Sequence, residues 1–161
     1  MTLREFRAGP MAEAFALLPA RMESPQAEVM LLAIGLQESR FIHRRQLGNG
    51  PAKSFFQAEQ GGGMVTGLLR YHDDGVRDLT RGLCSVRGVD PSPRPVWNAI
   101  EHDDVLATGL ARLLLWTDPA KLPALGDVDG AWQLYLRTWR PGKPHPHTWP
   151  GLYAQALEVV Q

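Results

Sequence analysis

The chain has 161 residues with an ordinary globular share of apolar side chains, enough to bury a real core in one domain spanning 1–161. Its 17 lysines and arginines balance 17 aspartates and glutamates, which argues against nucleic acid as a partner, because such binding leans on neutralising phosphates. Cys84 is the only cysteine, so no internal disulfide and no cysteine-based metal site can form.

Residues 11–20 read as a short helix with Phe15 and Leu18 on one face. The next element has a marked start: Ser24 can cap, and Pro25 suits the first helical position. From Pro25 to about Ser39 nearly every side is apolar, as expected of a central buried helix. It ends in Gln37-Glu38-Ser39-Arg40, which places a carboxylate at the exit of the most buried helix in the chain.

Residues 43–53, with Gly48, Asn49, Gly50 and Pro51, read as a loop. Residues 54–59 read as a short extended piece stopped by Gly61, Gly62 and Gly63. Modest helices follow at 64–71 and 76–86, and Pro91, Pro93 and Pro95 predict an extended connection. Residues 95–116 are helical in pattern, broken near 102–104, where Asp103 or Asp104 can cap a second helix. A helix bearing Trp132, Tyr135, Leu136 and Trp139 stops at Pro141, and a proline-rich loop leads to a closing helix over 150–160. No set of alternating strands is visible, so the expected class is mainly α.

Glu38 is the residue with chemical promise. Burial at a helix end and the negative end of the helix dipole both disfavour its anion, as a general acid requires. The plainer alternative is a solvated helix end in which Glu38 pairs with Arg40, Arg44 or Arg45.

The stretch Leu32-Ala33-Ile34-Gly35-Leu36-Gln37-Glu38-Ser39-Arg40-Phe41 resembles the first motif of the lytic transglycosylases, in the lysozyme-like superfamily, where an apolar helix delivers Glu-Ser and then an aromatic residue. Gly50-Pro51-Ala52-Lys53-Ser54-Phe55-Phe56-Gln57 resembles the second motif, a glycine-rich turn running into Gly-Leu-Met-Gln. Here Ser54 stands for the glycine and Phe55-Phe56 for Leu-Met, while Gln57 keeps its place. Of the third motif, Ala-Tyr-Asn-x-Gly, only Tyr135 is recognisable, with Leu136 where asparagine is expected. The likeness is clear over 29–63 and loose over 128–145.

The resemblance implies a lysozyme-like fold with a central buried helix and a glycan-binding groove. It also implies cleavage of the β-1,4 bond between N-acetylmuramic acid and N-acetylglucosamine in peptidoglycan. Glu38 would act as acid and then as base, giving 1,6-anhydromuramoyl products, with Ser39, Gln57 and Tyr135 around the substrate and with no metal or cofactor. Glu59 opens an alternative: on an extended segment it shares a face with Gln57 and could activate water, which would make the protein a lysozyme-type muramidase. Otherwise it binds amides of the glycine turn or pairs with an arginine. A non-catalytic, wall-binding phage protein on the same scaffold is a third reading.

The remaining polar clusters have plainer readings. His72-Asp73-Asp74 and His102-Asp103-Asp104 suit caps better than metal. Trp139, Trp149 and Tyr153 read equally as sugar-stacking and as packing residues. The first residues, Arg4, Glu5 and Arg7 ahead of a short apolar patch, do not form a secretory signal, and no stretch is apolar enough to anchor in a membrane. The expectation is a chain made in the cytoplasm, of phage or prophage origin, acting in the periplasm or cell wall after release or as part of a virion. Nothing in the pattern specifies an oligomeric state.

Overall fold

The computed structural model describes all 161 residues, Met1–Gln161, as one mainly α domain with eight α-helices and no strand. The N-terminal helix is longer than expected. It runs without a break from α1 (Leu3–Phe6) through a π-helical segment (Arg7–Met11) into α2 (Ala12–Ala16). Thr2 and Glu5 form a capping box at its start, and Pro10, which has no N–H to donate, sits inside the π segment.

A 3₁₀ turn, Ala20–Met22, leads to α3 (Pro25–Ser39). Ser24 accepts from the Ala27 N–H, and Pro25 opens the helix as the sequence indicates. All of Val29–Leu36 is buried, and α3 packs chiefly against α8 (Trp149–Val160) and α6 (Asp104–Trp116). The helix stops abruptly because Arg40 and Phe41 both enter the left-handed region, at φ 57° and 55°. That reversal folds the Phe41 ring back over Gly35, where an added Cβ would lie 2.2 Å from it. Phe41 then joins Phe6 and Phe55 in an aromatic cluster, with ring centroids 4.6–6.1 Å apart. Sequence and packing together place Glu38 two residues before a fixed chain reversal.

Residues 54–59 are not extended. Lys53 pairs with Ala58 across a tight turn, and Ser54 and Gln57 within it have φ of 71° and 51°. The helix expected over 64–71 begins as a π segment, Gly63–Gly67. Helix α4 (Asp74–Val86) is amphipathic, burying Val76, Thr80, Leu83 and Cys84.

The proline run is also shorter as a connection than expected. Pro93 opens α5 (Pro93–Ala99), because proline's fixed φ and missing N–H suit a first turn. Asp103 caps α6 through the Leu106 N–H at 2.9 Å. Helix α7 (Val128–Trp139) is capped by Asp127 and ends at Arg140, φ 49°. The α8 helix starts one residue before Pro150 and closes the fold against α3. No helix is long and apolar enough to cross a membrane.

Candidate active site

Four parts of the chain meet at a cleft of about 1400 Å³: the end of α3, the turn at 53–58 with the glycines after it, the end of α6 with Thr117–Pro119, and the second half of α7 with its following loop. Glu38 comes from the last turn of α3. Burial drives its carboxyl up from the ordinary 4.5 to about 7, against a hydrogen bond from Tyr135 that pulls it down. The Tyr135 hydroxyl donates to Glu38 Oε1 at 2.5 Å.

No arginine shares the carboxylate. Arg40 turns back to the Leu36 carbonyl at 2.6 Å, and Arg44 forms a two-pronged pair with Asp104. The reading of Glu38 as a solvated, arginine-paired helix end is therefore set aside. Its environment is that of a carboxyl poised to hold a proton near neutral pH.

Tyr135 is held from behind. Its ring stacks on Trp149, 5.3 Å between centroids and 12° between planes, and Trp132 closes on both. Trp149 is itself fixed by donating to the Val128 carbonyl at 3.1 Å. Burial, reinforced by the charge of Glu38, raises the phenol's pKa well above its usual value, so Tyr135 stays a donor. Tyr135 thus packs against Trp132 and Trp149 and also reaches the acid. Trp149 and Tyr153 are core residues, 1 % and 2 % exposed, and neither is free to stack on a ligand.

The other expected site residues are placed differently. Ser39 is buried and absent from the cleft wall; its hydroxyl donates to the Gly35 carbonyl and accepts from the Phe41 N–H. Those bonds secure the helix end under Glu38, so Ser39 supports the acid and does not face the cleft. Gln57 does line the cleft, but its amide nitrogen is bound to the Ser54 carbonyl at 2.8 Å and to the His43 carbonyl at 3.3 Å. It braces the turn and leaves its oxygen toward other partners. Glu59 is exposed on the cleft wall and takes no side-chain hydrogen bond and no ion pair. Its backbone carbonyl, not its carboxylate, accepts from the glycine turn at Gly62.

Several contributors were not assigned roles from sequence. Gln37 ties the acid helix to the proline-rich loop, accepting from the Thr148 hydroxyl at 3.0 Å and donating to the His145 carbonyl at 3.3 Å. Its place next to Glu38 was the available signal. Trp139, which the sequence leaves open between sugar-stacking and packing, lines the cleft half-buried, its indole N–H fixed on the Phe56 carbonyl at 3.1 Å. Arg140 and Lys143 add a cationic rim to the α7 side. Asp73 and Asp103 serve as helix caps, and Asp104 serves the ion pair with Arg44. No three potential ligand side chains converge on a point that would hold a metal ion.

Searches against family models, curated proteins and solved structures give no match to this chain.

Proposed function

We propose that this protein is a lysozyme-like lytic transglycosylase that cuts peptidoglycan between N-acetylmuramic acid and N-acetylglucosamine. One observation carries the reading: a carboxyl at the end of a buried helix, lifted to about 7, faces a long cleft and is bound by a buried phenol. A glycosidic oxygen needs a proton as its bond breaks, and an acid with a pKa near the working pH both holds and releases one.

In this mechanism Glu38 gives its proton to the bridging oxygen. The muramoyl C1 gathers positive charge as the C–O bond lengthens. Glu38, now a carboxylate steadied by the Tyr135 hydroxyl, takes the proton from the muramoyl 6-hydroxyl. That oxygen closes on C1 and leaves a 1,6-anhydro ring. The proton count balances with no water consumed. Two further details of the motif region support the reading. Ser54 adopts the left-handed φ that glycine favours, at the position where the family has glycine. Tyr135, the one recognisable residue of the third motif, lies on the acid.

The muramidase reading keeps one supporting observation, the exposed and unpartnered carboxylate of Glu59 on the same cleft. Mass analysis of muropeptides after digestion of purified cell wall separates the two. Products lacking the mass of one water relative to reducing-end muropeptides are expected. Intact wall after prolonged incubation with folded protein would reject both enzymatic readings.

A further inference from the structure

A second cavity, about 580 Å³, lies on the other side of Asp118 and Pro119, which line both it and the cleft. Arg21 comes from the 3₁₀ turn, Ser24 and Gln26 from the start of α3, Arg112 and Trp116 from the end of α6, and Lys121 from the loop beyond.

Arg112 is the unusual member. Only 3 % of it is exposed, and none of the chain's ion pairs includes it. Its Nε donates to the Met22 carbonyl at 2.7 Å, while its buried Nη1 meets no acceptor. Burial lowers its pKa to about 10, which still leaves it a cation at neutral pH. A buried charge without a partner is costly, and folds normally pair it. The nearby end of α6 does not supply the missing acceptor, since the carbonyls of Leu113, Leu114 and Leu115 are taken by the N–H groups of Thr117 and Asp118.

The surroundings are cationic as well. Arg21 and Lys121 are exposed at the rim. The 15-residue helix α3 presents its positive end, where the Gln26 N–H is one of the first donors that no carbonyl of its own helix can meet. Asp118 is the only acid on the wall, and it is already held by Arg137 at 2.9 Å and by the Ala120 N–H at 3.1 Å. Trp116, 38 % exposed, lies 5.4 Å from the Arg112 guanidinium and 5.6 Å from that of Arg21.

We propose that this pocket is a second ligand site, one that binds a phosphomonoester carried on a larger molecule. Arg112 is the fixed cation, Arg21 and Lys121 close over the anion, and Trp116 covers a flat or apolar body. A phosphomonoester suits the site better than a singly charged anion because it carries nearly two negative charges at neutral pH. Its oxygens are also strong acceptors for charge-assisted bonds from guanidinium and ammonium groups. The cavity is several times larger than phosphate alone, which is why the group is expected on a larger carrier.

The test titrates the intact chain with phenyl phosphate, inorganic phosphate and methyl phenyl phosphate, following the Trp116 indole N–H by NMR. Saturable shifts are expected in that order of affinity. Arg112→Met should weaken phenyl phosphate at least about ten-fold, the scale of one charged hydrogen bond. Because Arg112 lies in the core, the exposed double change Arg21→Glu with Lys121→Glu provides a variant that leaves packing alone, and it should weaken binding in the same direction. Phenyl phosphate that fails to saturate, or binds the double variant as well as the native chain, overturns the site. Equal affinity for methyl phenyl phosphate overturns the monoester assignment.

Discussion

Two glutamates face the same cleft from regions of opposite character. Glu38 closes a 15-residue helix that is buried on every side, and a phenol from α7 is hydrogen-bonded to it. Glu59 follows a tight turn on the cleft's edge, exposed and with its carboxylate unbound. Residue type is the same, so the difference in chemistry comes from desolvation and from one neighbour. A carboxyl that must keep its proton needs the first setting, and a carboxylate that only attracts a cation or orders water can live in the second.

The sharpest way to break the contrast is to remove the acid proton and keep the shape. Glu38→Gln is expected to abolish wall cleavage, leaving no more than a few per cent of the native rate in a turbidity assay. It should also change how stability follows pH. The folded protein holds the Glu38 proton up to about 7, against 4.5 ordinarily, so it binds that proton more tightly than the unfolded chain does. Its contribution is fully present below about pH 4.5 and is lost as pH rises through about 7. About 3 kcal/mol is at stake, for a rise from 4.5 to about 7. Urea midpoints at pH 4.5 and 8 should therefore differ less in Glu38→Gln than in the native protein. Equal slopes would mean that Glu38 is not held neutral in the fold.

Tyr135→Phe tests the neighbour and spares the acid. Its hydroxyl stabilises the carboxylate, so removing it should raise the Glu38 pKa and move the alkaline limb of the kcat/KM profile to higher pH. Turnover should also fall, by roughly 10–100-fold, because the carboxylate form needed for the second proton transfer loses its donor. A lower rate with an unmoved limb would assign Tyr135 to packing alone.

How much of this was readable beforehand follows from where the physics is local. Helix α3 was legible because Ser24 and Pro25 mark its start and its apolar run leaves no solvent face. The mainly α class and the break before α6 were legible for similar reasons, with Asp103 capping as its position suggests. The start of the N-terminal helix was missed although Thr2 and Glu5 have the spacing of a capping box; charged residues and Pro10 masked it. At Pro93 the proline was read as a breaker where it acts as a first-turn residue. Residues 54–59 read as extended because nothing in serine or glutamine announces the left-handed backbone of Ser54 and Gln57. Ser39 carried the family's expectation of a substrate contact, but the hydroxyl is spent on its own helix end. The bond between Tyr135 and Glu38 spans 97 positions, and no pattern in the chain specifies it; the motif likeness alone pointed there.

Gln57→Ala addresses the turn that shapes the exposed side of the cleft. The amide's two bonds, to the Ser54 and His43 carbonyls, would be lost. A stability loss of about 1–2 kcal/mol is expected, together with roughly ten-fold slower cleavage as the turn loosens. The loss should be smaller than for Tyr135→Phe at its most severe, because Gln57 reaches the chemistry through the backbone. Native stability and rate in Gln57→Ala would show that the turn is held by the Lys53–Ala58 pairing alone.

The smallest effect is expected at Glu59, and it decides the reaction type. If Glu38 acts alone, the attacking oxygen is the substrate's own 6-hydroxyl, held within reach of C1, and its effective concentration favours ring closure over water. Glu59→Gln should then keep at least about a third of the native rate, a loss under 1 kcal/mol in activation energy, and its muropeptides should carry 1,6-anhydro ends. If Glu59 activates water, it must stand roughly 6.5–9.5 Å from Glu38 across the sugar. Removing its charge would then cost nearly as much as Glu38→Gln, and the native products would have reducing ends. The first outcome is expected because the 6-hydroxyl already belongs to the bound sugar, whereas a water must first be ordered beside it. Reducing muramic ends together with an inactive Glu59→Gln variant would make the protein a hydrolase and give both glutamates catalytic roles.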